Sequence, residues 1–230
     1  MRKPESRKHV EPKKNTMAII KTVLGNIKGK VGDMILYEVQ GQVRIRSTPL
    51  KVKDPKTPGQ LAHRNRVRGV ARLFRMLDLQ LYADWQRAAE GMLASGYNLF
   101  VKRNLPYITA EGEVGQADAI GVSDGRLPLP EGLQAEAGED GTVRITWERE
   151  TRPCDWEKSR DLLQIVAYGA PQEGKAVKVR VVAPAAARRT DLHCEWQLPE
   201  GTPRPVRLYG YFRNALTSDA SPSFYIGSYE

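Results

Sequence analysis

Across residues 17–49 apolar and polar positions alternate in short β-branched runs broken by glycines, the pattern of a small antiparallel sheet. Residues 34–39 and 42–47 flank Gln40-Gly41, which predicts a hairpin closed by a two-residue turn. In its second strand Val43 and Ile45 point one way and Arg44 and Arg46 the other, so one face is expected to be apolar and the other cationic.

The period then lengthens. Residues 51–60 read as a connector that ends in a helix start, with Thr57 as N-cap and Pro58 at the first helical position. From there to about Met76, Val67, Val70, Ala71, Phe74 and Leu77 fall on one side of a helix. Arg64, Arg68, Arg72 and Arg75 fall in a narrow sector opposite. A second helix is predicted over 79–103, with Tyr82, Trp85, Ala89, Met92, Leu93, Gly96 and Phe100 at helical spacing against the first helix, and Gly96 permitting close approach. Joined at Asp78, the two would form an αα-hairpin.

Beyond Ala117 short strands are punctuated by Gly and Pro: 119–122, 132–137, 142–148, 162–168, 176–182, 191–197, 205–212 and 223–226. That spacing predicts an antiparallel β-sandwich of the immunoglobulin or fibronectin type. Cys154 with Trp156 and Cys194 with Trp196 repeat a Cys-x-Trp pattern, which in a strand puts both side chains on one face as buried packing. The fold class expected is therefore α+β: a basic N-terminal β-hairpin plus αα-hairpin, followed by the sandwich.

Charge divides the chain near the same point. Residues 1–110 carry 22 Lys+Arg against 8 Asp+Glu, a net of +14, and residues 111–230 carry 14 against 19, a net of −5. Together with the Gly-rich stretch from Glu111 to Gly115, this predicts a linker over 110–116 between a domain at 17–110 and another at 117–230. Residues 1–16 are polar, Pro-broken and net +4, and read as a disordered basic tail.

Several function classes recede. No window offers the roughly 18 apolar residues of a membrane span, and the N-terminus lacks the apolar core of a secretory signal. A cytoplasmic protein with reduced thiols is the expectation, since two cysteines are too few for a disulfide scaffold. Asp191, His193, Cys194 and Glu195 suggest metal ligands, but alternation along a strand keeps them from converging. With no nucleophile beside a base, the expectation is no catalytic residue, no cofactor and no enzyme.

The segments Lys-Gly-Lys-Val-Gly-Asp at 28–33, Arg-Ile-Arg-Ser-Thr-Pro at 44–49, Val-Lys-Asp-Pro-Lys-Thr-Pro-Gly-Gln-Leu-Ala-His-Arg at 52–64 and Ser-Phe-Tyr-Ile-Gly-Ser at 223–228 give the chain a likeness. It resembles the uncharacterised Bacteroidetes domain-of-unknown-function family six-two-six-six from about Met17 onwards. The resemblance implies a basic strand-helix half with a terminal β-sandwich and lends no established activity.

What remains is the cationic surface. Arg64, Arg68, Arg72 and Arg75, with Arg44 and Arg46, match the footprint of a protein that contacts phosphates without reading sequence. The expected function is a non-enzymatic nucleic-acid-binding or assembly protein, by analogy a phage or prophage structural component, acting as a homo-oligomer or in a larger assembly. The alternative is a protein-interaction module whose arginines meet an acidic protein surface.

Overall fold

The computed structural model describes residues 18–20, 28–39, 41–48, 54–149, 160–169 and 178–230; the 1–16 tail, Cys154 and Trp156 lie outside them. The chain divides into two compact units, Met1–Pro55 and Lys56–Glu230.

The N-terminal unit is a four-stranded antiparallel sheet in the order β1-β4-β3-β2, formed by Ala18–Ile20 (β1), Gly29–Val31 (β2), Met34–Val39 (β3) and Gln42–Ser47 (β4). Val39 pairs with Gln42, and Gly41 takes the positive φ of 76° that the two-residue connection between them requires. The β3–β4 pair is thus the centre of a wider sheet.

The second unit is mixed α+β, with three α-helices among its described residues: Pro58–Met76 (α1), Leu79–Ala88 (α2) and Gly96–Asn104 (α3). Each start is written in a side chain. Thr57 and Gln60 form a reciprocal capping box at α1, Asp78 accepts from Leu81 N at α2, and Ser95 accepts from Asn98 N at α3. The single helix expected over 79–103 is broken after Ala88, where Gly91 turns the chain at φ 79° and Ser95 caps a new helix. Met92 and Leu93 therefore sit exposed in the connection instead of in the core.

Among the described residues seven strands follow, in two antiparallel sheets. Gln134–Ala137 (β5), Thr142–Thr146 (β6) and His193–Gln197 (β9) form one, in the order β5-β6-β9; Asp161–Gly169 (β7), Val179–Arg188 (β8), Val206–Asn214 (β10) and Phe224–Tyr229 (β11) form the other, in the order β11-β10-β7-β8. Residues 119–122 are not a strand: Ile120 and Val122 are buried from an irregular segment, and the Val122 carbonyl accepts from the Trp85 indole at 2.9 Å.

The four-stranded sheet is covered on both faces. Leu163, Ile165, Val206, Leu208 and Phe212 turn toward Val143, Ile145 and Cys194 of the three-stranded sheet. The alternate residues Val166, Tyr209 and Tyr211 join Val70, Leu73, Leu81, Trp85 and Phe100 of the helices in a second apolar cluster. Strands buried on both sides lose the usual in-out alternation, as β7 and β10 do.

Polar pins fasten the helices to that sheet. The second carboxylate oxygen of Asp78 accepts from Val181 N at 2.8 Å, and its own N–H donates to the Val179 carbonyl at 2.9 Å. Buried Asp84 accepts from the Tyr211 hydroxyl and from Arg213 Nε, both at 2.9 Å. Asn104 receives Gly121 N–H at 2.8 Å and donates back to the Gly121 carbonyl at 3.0 Å.

The expected linker at 110–116 is consequently a packed turn. Thr109 N–H donates to the Glu113 carbonyl at 2.9 Å and Gly115 N–H to the Tyr107 carbonyl at 2.9 Å. Buried Gly112, at φ 91°, lies against α1. The domain division expected there falls instead at Pro55–Lys56, because the helices spend their apolar sides on the sheet. The sign of the charge changes inside one folded unit.

Candidate functional site

Helix α1 presents Arg64, Arg68, Arg72 and Arg75 to solvent. At 100° per residue they occupy an arc of roughly 80°. The buried side consists of Gly69, Val70 and Leu73, about a quarter turn from the Val67-Val70-Ala71-Phe74-Leu77 face that periodicity suggests. The cause of the rotation is local. Gly69 admits the backbone of the Gly112 turn, while Phe74 is half-buried in an aromatic cluster, its ring centroid 5.5 Å from Tyr82, 5.2 Å from Tyr97 and 5.1 Å from Phe100.

The arginines use their donors differently. Arg68 donates to the Asn65 side-chain oxygen at 3.2 Å and Arg75 Nε to the Ala71 carbonyl at 3.1 Å, both neutral acceptors on the same helix. Arg72 reaches Glu113 at 3.0 Å across the solvent-exposed edge of the turn. Neighbouring Glu111 is held below the usual carboxylate range chiefly by the Thr109 hydrogen bond, with Arg66 adding to it. Arg66 is a fifth exposed arginine of α1, off the stripe, that periodicity did not single out.

Beside the Arg72–Glu113 pair lies a polar cleft of about 370 Å³ lined in part by Glu113, Tyr168, Arg207, Ser228 and Glu230. The Arg207 guanidinium stands 5.7 Å above the Tyr168 ring. Burial pushes the Tyr168 hydroxyl above its ordinary value; Arg207 and Arg72 oppose the shift and Glu113 adds to it. Among its lining residues the cleft sets one cation, Arg207, against two carboxylates, Glu113 and Glu230.

Arg44 and Arg46 belong to the N-terminal unit. Val43 is buried and Ile45 half-buried on one face of β4, while Arg44 is half-buried and Arg46 exposed on the other. The Arg46 guanidinium lies 5.8 Å over the ring of Tyr37, an aromatic that only the strand register brings alongside the cations.

The acidic and thiol residues near 191–195 go separate ways. Asp191 accepts from Arg188 N at 2.8 Å, His193 Nδ1 faces the Asp191 carbonyl at 2.9 Å, Glu195 pairs with Arg144 at 2.8 Å, and Cys194 turns into the core between the sheets. Among the described residues no group of three His, Cys, Asp or Glu could hold a metal ion. No described helix is long and apolar enough to cross a membrane. No family model, curated protein or solved structure matches the chain.

Proposed function

We propose that the protein is a non-enzymatic nucleic-acid-binding or assembly protein whose α1 arginines contact the phosphates of a duplex without reading its sequence. One observation carries this reading: four exposed guanidinium groups share one side of a helix, and Arg68 and Arg75 donate only to neutral acceptors in the contacts described above. A helix with cations but no aromatics in the stripe fits a backbone rail better than a base-stacking surface.

The sandwich supplies the second half of the proposal. Its fourth strand pairs with the third and not with the first sheet, an order nearer the fibronectin type than the constant-domain immunoglobulin type. A basic surface packed on such a sandwich suits a cytoplasmic particle component of phage or prophage origin. The Arg72–Glu113 pair favours the second reading, a module that docks an acidic protein surface, because it is a carboxylate that this stripe already accepts.

Salt-titrated binding of labelled duplex DNA tests the first reading. With about four phosphates neutralised, log K should fall against log salt with a slope of roughly −3.6. Affinity that ignores salt, or that depends on sequence, overturns it.

A further inference from the structure

The strand register of the N-terminal unit assembles a surface that no single strand displays. Tyr37 lies opposite Arg44, and Ile35 lies opposite both Arg46 and Lys30. Cross-strand partners share a face and alternate residues of a strand share it too, so Lys30, Tyr37, Arg44 and Arg46 stand together on one side of the sheet. Lys30 and Arg46 are exposed, and Tyr37 and Arg44 are half-buried.

Resting on the nucleic-acid reading above, we propose that this face binds single-stranded nucleic acid, with a base stacked against the Tyr37–Arg46 pair and phosphates on Lys30, Arg44 and Arg46. Charge complementarity selects the occupant. Glu38, the carboxylate within the described strands of this sheet, lies opposite Val43 on the other face and is tied to Lys28 at 2.8 Å. Three cations therefore act on the Tyr37 side without a strand carboxylate beside them.

The chemistry of this face differs from that of α1. Arg44 and Arg46, two residues apart on a strand, are spaced about 6.7 Å along it, which suits successive phosphates of a stretched single strand. An aromatic ring beside them offers the π surface that unpaired bases have free and duplex bases keep inside the stack. The helix stripe lacks that ring, so the two surfaces divide the work between single-stranded and duplex regions.

Fluorescence anisotropy of the full chain with labelled oligothymidylate and with a labelled duplex tests this. Tyr37→Ala should weaken oligothymidylate binding about tenfold while Tyr37→Phe retains it, as expected for stacking, and duplex affinity should hold in both. Arg46→Gln, at an exposed position, should weaken oligothymidylate binding and flatten its salt dependence by about one phosphate contact. Unchanged oligothymidylate affinity in folded Tyr37→Ala and in Arg46→Gln overturns the proposal. So does polyglutamate binding as tightly as oligothymidylate without regard to Tyr37, which would identify an acidic protein as the occupant. Duplex binding without oligothymidylate binding removes this inference alone; binding of neither removes the nucleic-acid reading with it.

Discussion

Gly69 on α1 meets the backbone of Gly112: a β-carbon at 69 would overlap the Gly112 carbonyl, and one at 112 would come within 2.8 Å of the Asn65 carbonyl oxygen. The contact locks the turn after α3 onto the first helix and carries Glu113 to Arg72. Gly69→Ala should therefore destabilise the protein by about 1–3 kcal/mol through overpacking, read as a lower denaturant midpoint with an unchanged slope. Wild-type stability in that variant would mean that the turn yields without cost.

Arg68→Gln with Arg72→Gln should leave the fold within about 0.5–1 kcal/mol of wild type, since it removes only exposed side chains and one exposed ion pair. Phe74→Ala should cost about 3 kcal/mol because three aromatic neighbours lose their partner. In duplex binding the double variant should shallow the salt slope by about 2, one for each lost phosphate contact. If it unfolds as readily as Phe74→Ala, the stripe is structural and the proposed function fails.

Asn104→Ala tests the pin between α3 and the segment after it. The buried amide satisfies both the N–H and the carbonyl of Gly121, so its loss leaves two polar groups without their partner and should cost about 3 kcal/mol. Thermal denaturation reads the change, and a shift no larger than that of a surface substitution would show that water replaces the amide.

Asp84 gives a pH signature of known sign. Burial raises its carboxyl above the usual value, against the opposing pull of Arg213 and the Tyr211 hydroxyl. A folded value above the unfolded one means that its stabilising contribution is full below the unfolded value and is lost as pH rises through the folded one. Wild type should thus lose ground to Asp84→Asn as pH climbs from the acid range toward neutrality, in paired urea titrations. A gap that widens in favour of wild type would show that Arg213 outweighs burial.

Local rules made much of this molecule legible. The Thr57-Pro58 helix start, the strands at 34–39 and 42–47 and most of those after residue 130 follow from capping and alternation, and Gly96 does leave space for the Trp85 backbone. The helices' destination was not legible. Val166, Tyr209 and Tyr211 read as ordinary strand residues, and only the fold reveals that they form the floor on which α1–α3 rest. The charge reversal misled for a related reason. It records which sides face solvent, and α1 can be cationic outside while its other side is sealed to a sheet. The exposed arginines of α1 were evident from the helical period, whereas the neighbourhood of Tyr37 depends on register between strands, which composition does not encode.

The double covering of the four-stranded sheet has a practical side. Two packed antiparallel sheets can ordinarily offer the broad outside of either sheet to other molecules, but here one of those outsides is already occupied by the chain's own helices. The surfaces this unit leaves open are the solvent side of α1, the rims and the outside of the remaining sheet. A fragment cut at residue 110 would strip the cover from Tyr209, Tyr211 and Val166 and turn an internal wall into a sticky exterior. The shortest piece worth expressing with the two sheets therefore begins near Lys56, where the helices begin.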